Sequence, residues 1–307
     1  MKSKLVLHRN QYTRGGNTLG MQEFLRAIGD SGLFELEFHE DYVDAMRGIR
    51  GSIVYFEDKK IYLDLWEYPT PTHTMQIYNA KFDLIIKVQH KGIGPKQYNR
   101  YCNRKGLMRE LDNDQRIEYW QKIVPWTFFP SKMMVPYAGK EDELAGENYP
   151  IERDCFFCGK AWKCRHVMKG ILDSQGIECF KSNQELKRGK TLKSNDYLHY
   201  MRSSKYGLVL RGRSSILTDC KNRREIDYMI LKKPLLLDYT PNYYNPLVPG
   251  KHFILIDQNT KIDSLEKMYN IEEIAQNGYE WYQQNATSSG IAQTFMQIMK
   301  DKFSTQE

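Results

Sequence analysis

The 307-residue sequence has no apolar run approaching ~18 residues, so no membrane-spanning helix is expected. Its opening, Met1-Lys-Ser-Lys-Leu-Val-Leu-His-Arg, has an apolar stretch too short for a secretory signal. Its end, Phe303-Ser-Thr-Gln-Glu, carries no retention or lipidation signal. Cysteine is sparse. Six thiols in so long a chain, with no secretory cue, point to a reduced, cytoplasmic setting. The glycosylation acceptor pattern at Asn285-Ala-Thr has no consequence there. There is no Gly-x-Ser-x-Gly elbow and no Gly-Lys-Ser/Thr phosphate loop, and Gly92-Ile-Gly-Pro lacks the third glycine of a dinucleotide fingerprint. No internal repeat or low-complexity segment is visible.

What is present is ordinary globular chemistry. Twenty-one Tyr, 13 Phe and 5 Trp exclude a disordered chain. At 41% hydrophobic residues the chain can bury two cores, and its length suits two domains of roughly 150 residues. Lys+Arg number 45 against 38 Asp+Glu, a net charge of +7 spread along the chain. Such an excess suits an anionic ligand without demanding nucleic acid. Aromatics among Lys and Arg permit base stacking, but no nucleic-acid module signature appears and most of these rings fall in expected strands, so no nucleic-acid partner is expected.

The first half alternates strands and helices. Strands are expected at 4–8, 34–39, 52–56, 60–65, 82–88 and 123–129, with a tight hairpin at Glu57-Asp-Lys and helices at 19–28 and 107–121. A Gly-, Pro- and charge-rich linker follows at 136–152. The second half gives strands at 154–158, 176–180, 206–210, 234–238 and 252–256, and helices near 166–173, 195–203, 224–231 and in the last thirty residues. This alternation predicts an α/β fold with parallel sheets: a domain over 1–145, a second over 146–307, a cleft between them, and a last helix that is a candidate to cross back to the first domain. In open α/β sheets ligands bind beyond the carboxyl ends of strands, so loops that follow strands are where chemistry is expected.

Four such segments stand out. Phe156-Phe-Cys-Gly-Lys-Ala-Trp-Lys-Cys-Arg-His ends a strand, turns at Gly159, and brings Lys160 and Arg165 to a helix start, where unpaired N–H groups and the helix dipole favour a diphosphate. Lys205-Tyr-Gly-Leu-Val-Leu-Arg-Gly-Arg-Ser-Ser opens a strand into Arg211, Gly212, Arg213 and Ser214, and Arg223 and Arg224 start the next helix. Planar guanidinium forks are the natural partners of phosphate oxygens. In the first domain, Ile61-Tyr-Leu-Asp-Leu-Trp-Glu-Tyr-Pro places Asp64 and Glu67 at a strand end. Arg9-Asn-Gln-Tyr-Thr-Arg-Gly-Gly-Asn follows the first strand, and Gly15-Gly16 lets a ligand approach the backbone.

Taken in order, these segments resemble the family 90 glycosyltransferases, the protein O-glucosyltransferase and capsule-xylosyltransferase group. Phe156-Phe-Cys-Gly-Lys with Arg165 is similar to the family's Phe-Phe-Arg-Gly-Ser strand end and following Arg, with Cys158 in place of that Arg and Lys160 in place of the Ser. Lys205-Tyr-Gly with Arg224 is similar to its Lys-Tyr strand and helix-starting Arg. Pro249-Gly-Lys-His-Phe-Ile-Leu-Ile and Ile274-Ala-Gln-Asn-Gly-Tyr-Glu-Trp resemble its later segments. Leu65-Trp-Glu-Tyr-Pro resembles its Arg-Asp-Tyr-Pro motif, which puts Glu67 at the catalytic-base position, with Asp64 the alternative.

The resemblance implies a GT-B fold of two Rossmann-like domains and an inverting, metal-independent transfer of glucose or xylose from a UDP-sugar. The acceptor would be a hydroxyl of a glycan or protein. The second domain would bind the donor through Gly159, Lys160, Arg165, Arg211, Gly212, Arg213, Ser214, Arg223 and Arg224, and no cofactor would be needed. The competing readings are an exostosin-like transferase with another base, or a non-catalytic sugar- or nucleic-acid-binding protein on a transferase scaffold.

Two metal patterns are set aside. Cys155, Cys158, Cys164 and His166 have ligand-like spacing, but Cys155 and Cys158 belong to one strand with residues facing opposite ways. Asp112-Asn-Asp has a charged helical context and reads as a helix N-cap or a loop rather than an ion site.

Overall fold

The computed structural model describes residues 3–8, 27–39, 52–64, 78–79, 81–87, 94–105, 108, 111–126, 134, 140, 143–144, 149–157, 163–177, 179–181, 194–210 and 223–304. The chain divides into two units. The first comprises Met1–Thr127, Asn242–Asn245 and Thr287–Glu307, and the second comprises Phe128–Pro241 and Pro246–Ala286.

The first unit is built on a six-stranded sheet. In chain order its strands are β1 (Ser3–His8), β2 (Phe34–His39), β3 (Ser52–Phe56), β4 (Lys59–Asp64), β5 (Leu84–Lys87) and β6 (Ile123–Pro125), arranged β2-β1-β3-β4-β5-β6. All run the same way except β3, which pairs antiparallel with both β1 and β4. The β3–β4 pair is the tight hairpin expected at Glu57-Asp-Lys, where a two-residue turn is too short for a crossover; β3 extends the antiparallel pairing to β1. Glu57 opens that turn at φ 55°, a left-handed backbone suited to the twist of paired strands.

Between β5 and β6 lie α1 (Pro95–Lys105) and α2 (Asn113–Gln121). The helix expected over 107–121 starts late because Asp112 caps it. The Asp112 side chain accepts from the Gln115 N–H and the Gln115 side chain accepts from the Asp112 N–H. The buried Arg116 ties the two helices by donating to the Met108 carbonyl and to Asn99 and Asn103. The core holds Ile53, Tyr62, Ile85, Tyr98, Tyr119 and Ile123 among others.

The last helix, α7 (Ser288–Phe303), belongs to this first unit although it ends the chain. Its Phe295 packs edge-on to Phe34 at 5.7 Å and to Trp126 at 6.1 Å.

The second unit is a five-stranded parallel sheet of β7 (Arg153–Phe157), β8 (Cys179–Lys181), β9 (Ser204–Val209), β10 (Leu235–Leu237) and β11 (Ile254–Leu255), arranged β11-β10-β9-β7-β8. Counted within the unit this is the doubly wound order 2-1-3-4-5. Its longer helices are α3 (Lys163–Ser174) after β7, α4 (Ser194–Arg202) after β8, α5 (Arg223–Ile230) after β9, and α6 (Ile271–Asn285) after β11. Alternate residues of β9 split between two faces. Tyr206, Leu208 and Leu210 join a core with Cys155, Leu172, Leu236 and Ile274, while Gly207 faces α5. Among the described residues no helix is long and apolar enough to cross a membrane.

Candidate functional site

Strand order fixes where a ligand can enter the second unit. From β7 the chain goes to β8 on one side, then returns to build β9, β10 and β11 on the other. The direction reverses between β7 and β9, and the crevice beyond their carboxyl ends is the switch point of this sheet. The ends are Phe157 and Val209, and the next described elements are α3 and α5. Arg165 lies in the first turn of α3, Arg223 opens α5 and Arg224 follows it. Two helix N-termini bearing Arg therefore follow the two strands that flank the switch, which favours an anion through both charge and unpaired N–H groups.

A set of aromatic contacts positions α5. A Cβ added at Gly207 would lie 2.5 Å from the Tyr228 ring, so α5 sits against β9 at a distance only glycine permits. The Tyr228 hydroxyl donates to the Phe156 carbonyl at 2.8 Å, linking α5 to β7 across the switch. The Phe156 ring meets Tyr197 edge-on at 5.2 Å and stacks on Tyr200 at 5.5 Å, which brings the start of α4 to the same edge. There the Arg224 Nε donates to the Tyr197 hydroxyl at 2.8 Å. The half-buried guanidinium is held at its inner nitrogen. Behind it, the fully buried Glu225 accepts from the Tyr239 hydroxyl just beyond β10.

Tyr197, Glu225 and Tyr239 were not singled out by sequence. Their partners lie 27 and 14 residues away, so only the folded sheet shows the pairing. Gly159, Lys160, Arg211, Gly212, Arg213 and Ser214 lie outside the described residues, as does the segment 9–26; of Arg165 and Arg223 the backbone is described.

The Pro249-Gly-Lys-His segment forms a turn with Gly250 at φ 77°. His252 Nδ1 accepts from the Val248 N–H at 2.9 Å, and burial together with Lys251 holds the ring below its ordinary value. A neutral imidazole with that acceptor role is a structural brace for the turn.

In the first unit the order turns at β1, with β2 on one side and β3 to β6 on the other. Asp64 ends β4 and is registered with Lys87, which ends β5. The two side chains, 2% and 0% exposed, form an ion pair at 2.7 Å. Nearby, burial first and then Tyr98, Asp64 and Tyr62 push the Tyr119 phenol well above its ordinary value. Asp64 is thus a buried, charge-paired carboxylate at the strand end that leads to Glu67, and Glu67 itself lies outside the described residues. No group of three His, Cys, Asp or Glu side chains gathers among the described residues as a metal site would require.

No family model and no curated protein matches the chain. Among solved structures it is similar to TarM, with 12% identity, a TM-score of 0.41, and coverage of 73% of this chain and 45% of TarM. It is also similar to a sucrose-phosphate synthase from Thermosynechococcus elongatus (11% identity, TM-score 0.45, 98% and 96% covered). A third is Anabaena HepE in complex with UDP-glucose (9% identity, TM-score 0.44, 97% and 100% covered). The chain spans less than half the length of TarM. These TM-scores all lie below 0.5, and the fold is defined by the strand orders above.

Proposed function

We propose that the chain is a GT-B-type glycosyltransferase that moves glucose or xylose from a UDP-sugar to a hydroxyl of a glycan or protein. The observation that carries this reading is the switch point between β7 and β9, followed by helix starts bearing Arg165, Arg223 and Arg224. The order of motifs that resemble family 90 supports it independently.

The second unit would hold the nucleotide diphosphate. Arg165 and Arg224, with Lys160 and Arg213, would neutralise charge as the diphosphate departs, which is the main electrostatic task of the transfer. No metal is needed for that task when several cations converge. The first unit would supply the acceptor and the base. Glu67 would take the acceptor's proton while its oxygen attacks the anomeric carbon on the face opposite the nucleotide, breaking the bond to the departing phosphate oxygen and inverting the configuration. Asp64 is the weaker candidate for base, because its carboxylate is already committed to Lys87 and is shut from solvent.

The test is a thermal-shift panel of nucleotides and nucleotide sugars with and without EDTA. A ligand at 100 times its Kd adds about 2.7 kcal/mol of stability. Selective protection by UDP or one UDP-sugar, indifferent to EDTA and lost in Arg224→Ala, is the expected result. Unchanged UDP affinity in that variant would remove Arg224 from the donor site. Protection by UDP with no transfer to any acceptor would assign a binding protein on the same scaffold.

A further inference from the structure

The opposite edge of the second unit's sheet carries a charge arrangement that the donor site does not use. Arg153 begins β7 and is registered with Ser204, which begins β9; Arg202 ends α4 two residues earlier. Lys233 lies two residues before β10, and Leu235 is registered with Gly207 of β9. Arg202 and Lys233 therefore stand at the amino ends of neighbouring parallel strands, away from the switch.

Neither has a counter-charge among the described residues. The Arg202 guanidinium lies over the Tyr149 ring at 3.9 Å, but its Nε is buried and donates to no acceptor among the described residues. No carboxylate pairs with Lys233 among the described residues, and burial together with the Arg202 charge brings its ammonium down to about 8. Among the described residues, Glu152 pairs with Arg153 and with His199 Nε2, the latter at 3.2 Å. The other His199 nitrogen, Nδ1, is bonded to the Tyr149 hydroxyl at 2.7 Å. Two half-buried cations at the amino ends of adjacent strands, one with an orphan buried donor, disfavour the folded state unless an anion joins them.

We propose that Arg202 and Lys233 form an anion site for a phosphate dianion, free or as the monoester of a small molecule, at the edge of this sheet remote from the nucleotide. One oxygen would accept from the Arg202 Nε–H and another from the Lys233 ammonium, and the pair Tyr149–His199 would flank the group. Charge-assisted bonds of this kind are the strong ones, and a guanidinium already stacked on a ring loses little freedom in making them.

The experiment is calorimetric and thermal-shift titration of the full chain with inorganic phosphate and, separately, glycerol 3-phosphate. Wild type is compared with Lys233→Met, Arg202→Met and Arg224→Ala. Saturable binding that weakens tenfold or more in both Lys233→Met and Arg202→Met, and persists in Arg224→Ala, is the expected result; the tighter of the two probes names the source. Lys233→Met removes a buried charge while keeping its stem, so folding is preserved and a lost response is a lost site. No binding by wild type, binding indifferent to both edge variants, or binding lost only in Arg224→Ala would each overturn the assignment. The last would place the ion with the nucleotide, so this proposal and the donor site fail separately.

Discussion

Lys87→Met is the most informative perturbation of the first unit. The substitution keeps an unbranched stem in a position that is 0% exposed and removes the ammonium 2.7 Å from Asp64 Oδ2. Asp64 is then a buried carboxylate that has lost its counter-ion. Leaving one partner of a buried pair alone costs about 3–5 kcal/mol. At about 2–4 °C per kcal/mol for a domain of this size, that is a loss of roughly 6–20 °C in Tm. Asp64→Leu alone strands the ammonium and costs a similar amount. The double variant Asp64→Leu/Lys87→Met removes both charges, and its stability returns to within about 1 kcal/mol of wild type or rises above it, because the desolvation cost of the pair vanishes with its attraction. Urea unfolding of the four proteins gives the cycle. A loss under about 1 kcal/mol for Lys87→Met would refute the reasoning, since it would mean that water reaches the pair. It would also return Asp64 to the front as a group able to take an acceptor's proton.

Further outcomes follow from the same geometry. Glu67→Gln abolishes sugar transfer in a turnover assay while leaving UDP protection intact; transfer at the wild-type rate would dismiss Glu67 as the base. Gly207→Ala drives a methyl to within 2.5 Å of the Tyr228 ring and costs about 1–3 kcal/mol in urea unfolding, whereas an unchanged midpoint would mean α5 is not held against β9. Lys233 titrates at about 8 in the folded chain against 10.5 ordinarily, so below pH 8 both states hold the proton and the folded state bears the whole cost of the charge. Lys233→Met is therefore more stable than wild type by about 1–2 kcal/mol at pH 7, after allowance for residual exposure to water. The gap closes as the pH rises from 8 to 10.5; a gap constant with pH would contradict the assigned cause.

What was legible in the sequence is what local pattern encodes. Strands 34–39 and 52–56 fall where alternation and the Glu57-Asp58 turn place them, and Asp112, read as a helix cap or loop residue, caps a helix that begins six residues later than the expected start at 107. α1 was missed because its 11 residues bury only Tyr98 and Cys102 among the side chains described, an i,i+4 pair too thin to set a period. Lys87 falls inside the strand expected over 82–88, and its charge makes sense only through Asp64, 23 residues away on the neighbouring strand. The same holds for Arg224. Sequence marks it as a cation at a helix start, but what orients it is Tyr197 on α4, itself fixed by Phe156, whose carbonyl is bonded by Tyr228 of the helix that carries Arg224. That circuit closes through three separate elements, so no window of sequence contains it. The strand order of the second unit is likewise set by pairings between distant segments, and it is this order that turns scattered basic residues into a candidate site. Arg202 and Lys233 carry the same types of charge as Arg165 and Arg224, and on composition alone the two pairs are equivalent. Topology separates them: one pair follows the carboxyl ends of strands and the other precedes the amino ends, so a ligand that protects the chain through one pair acts without the other.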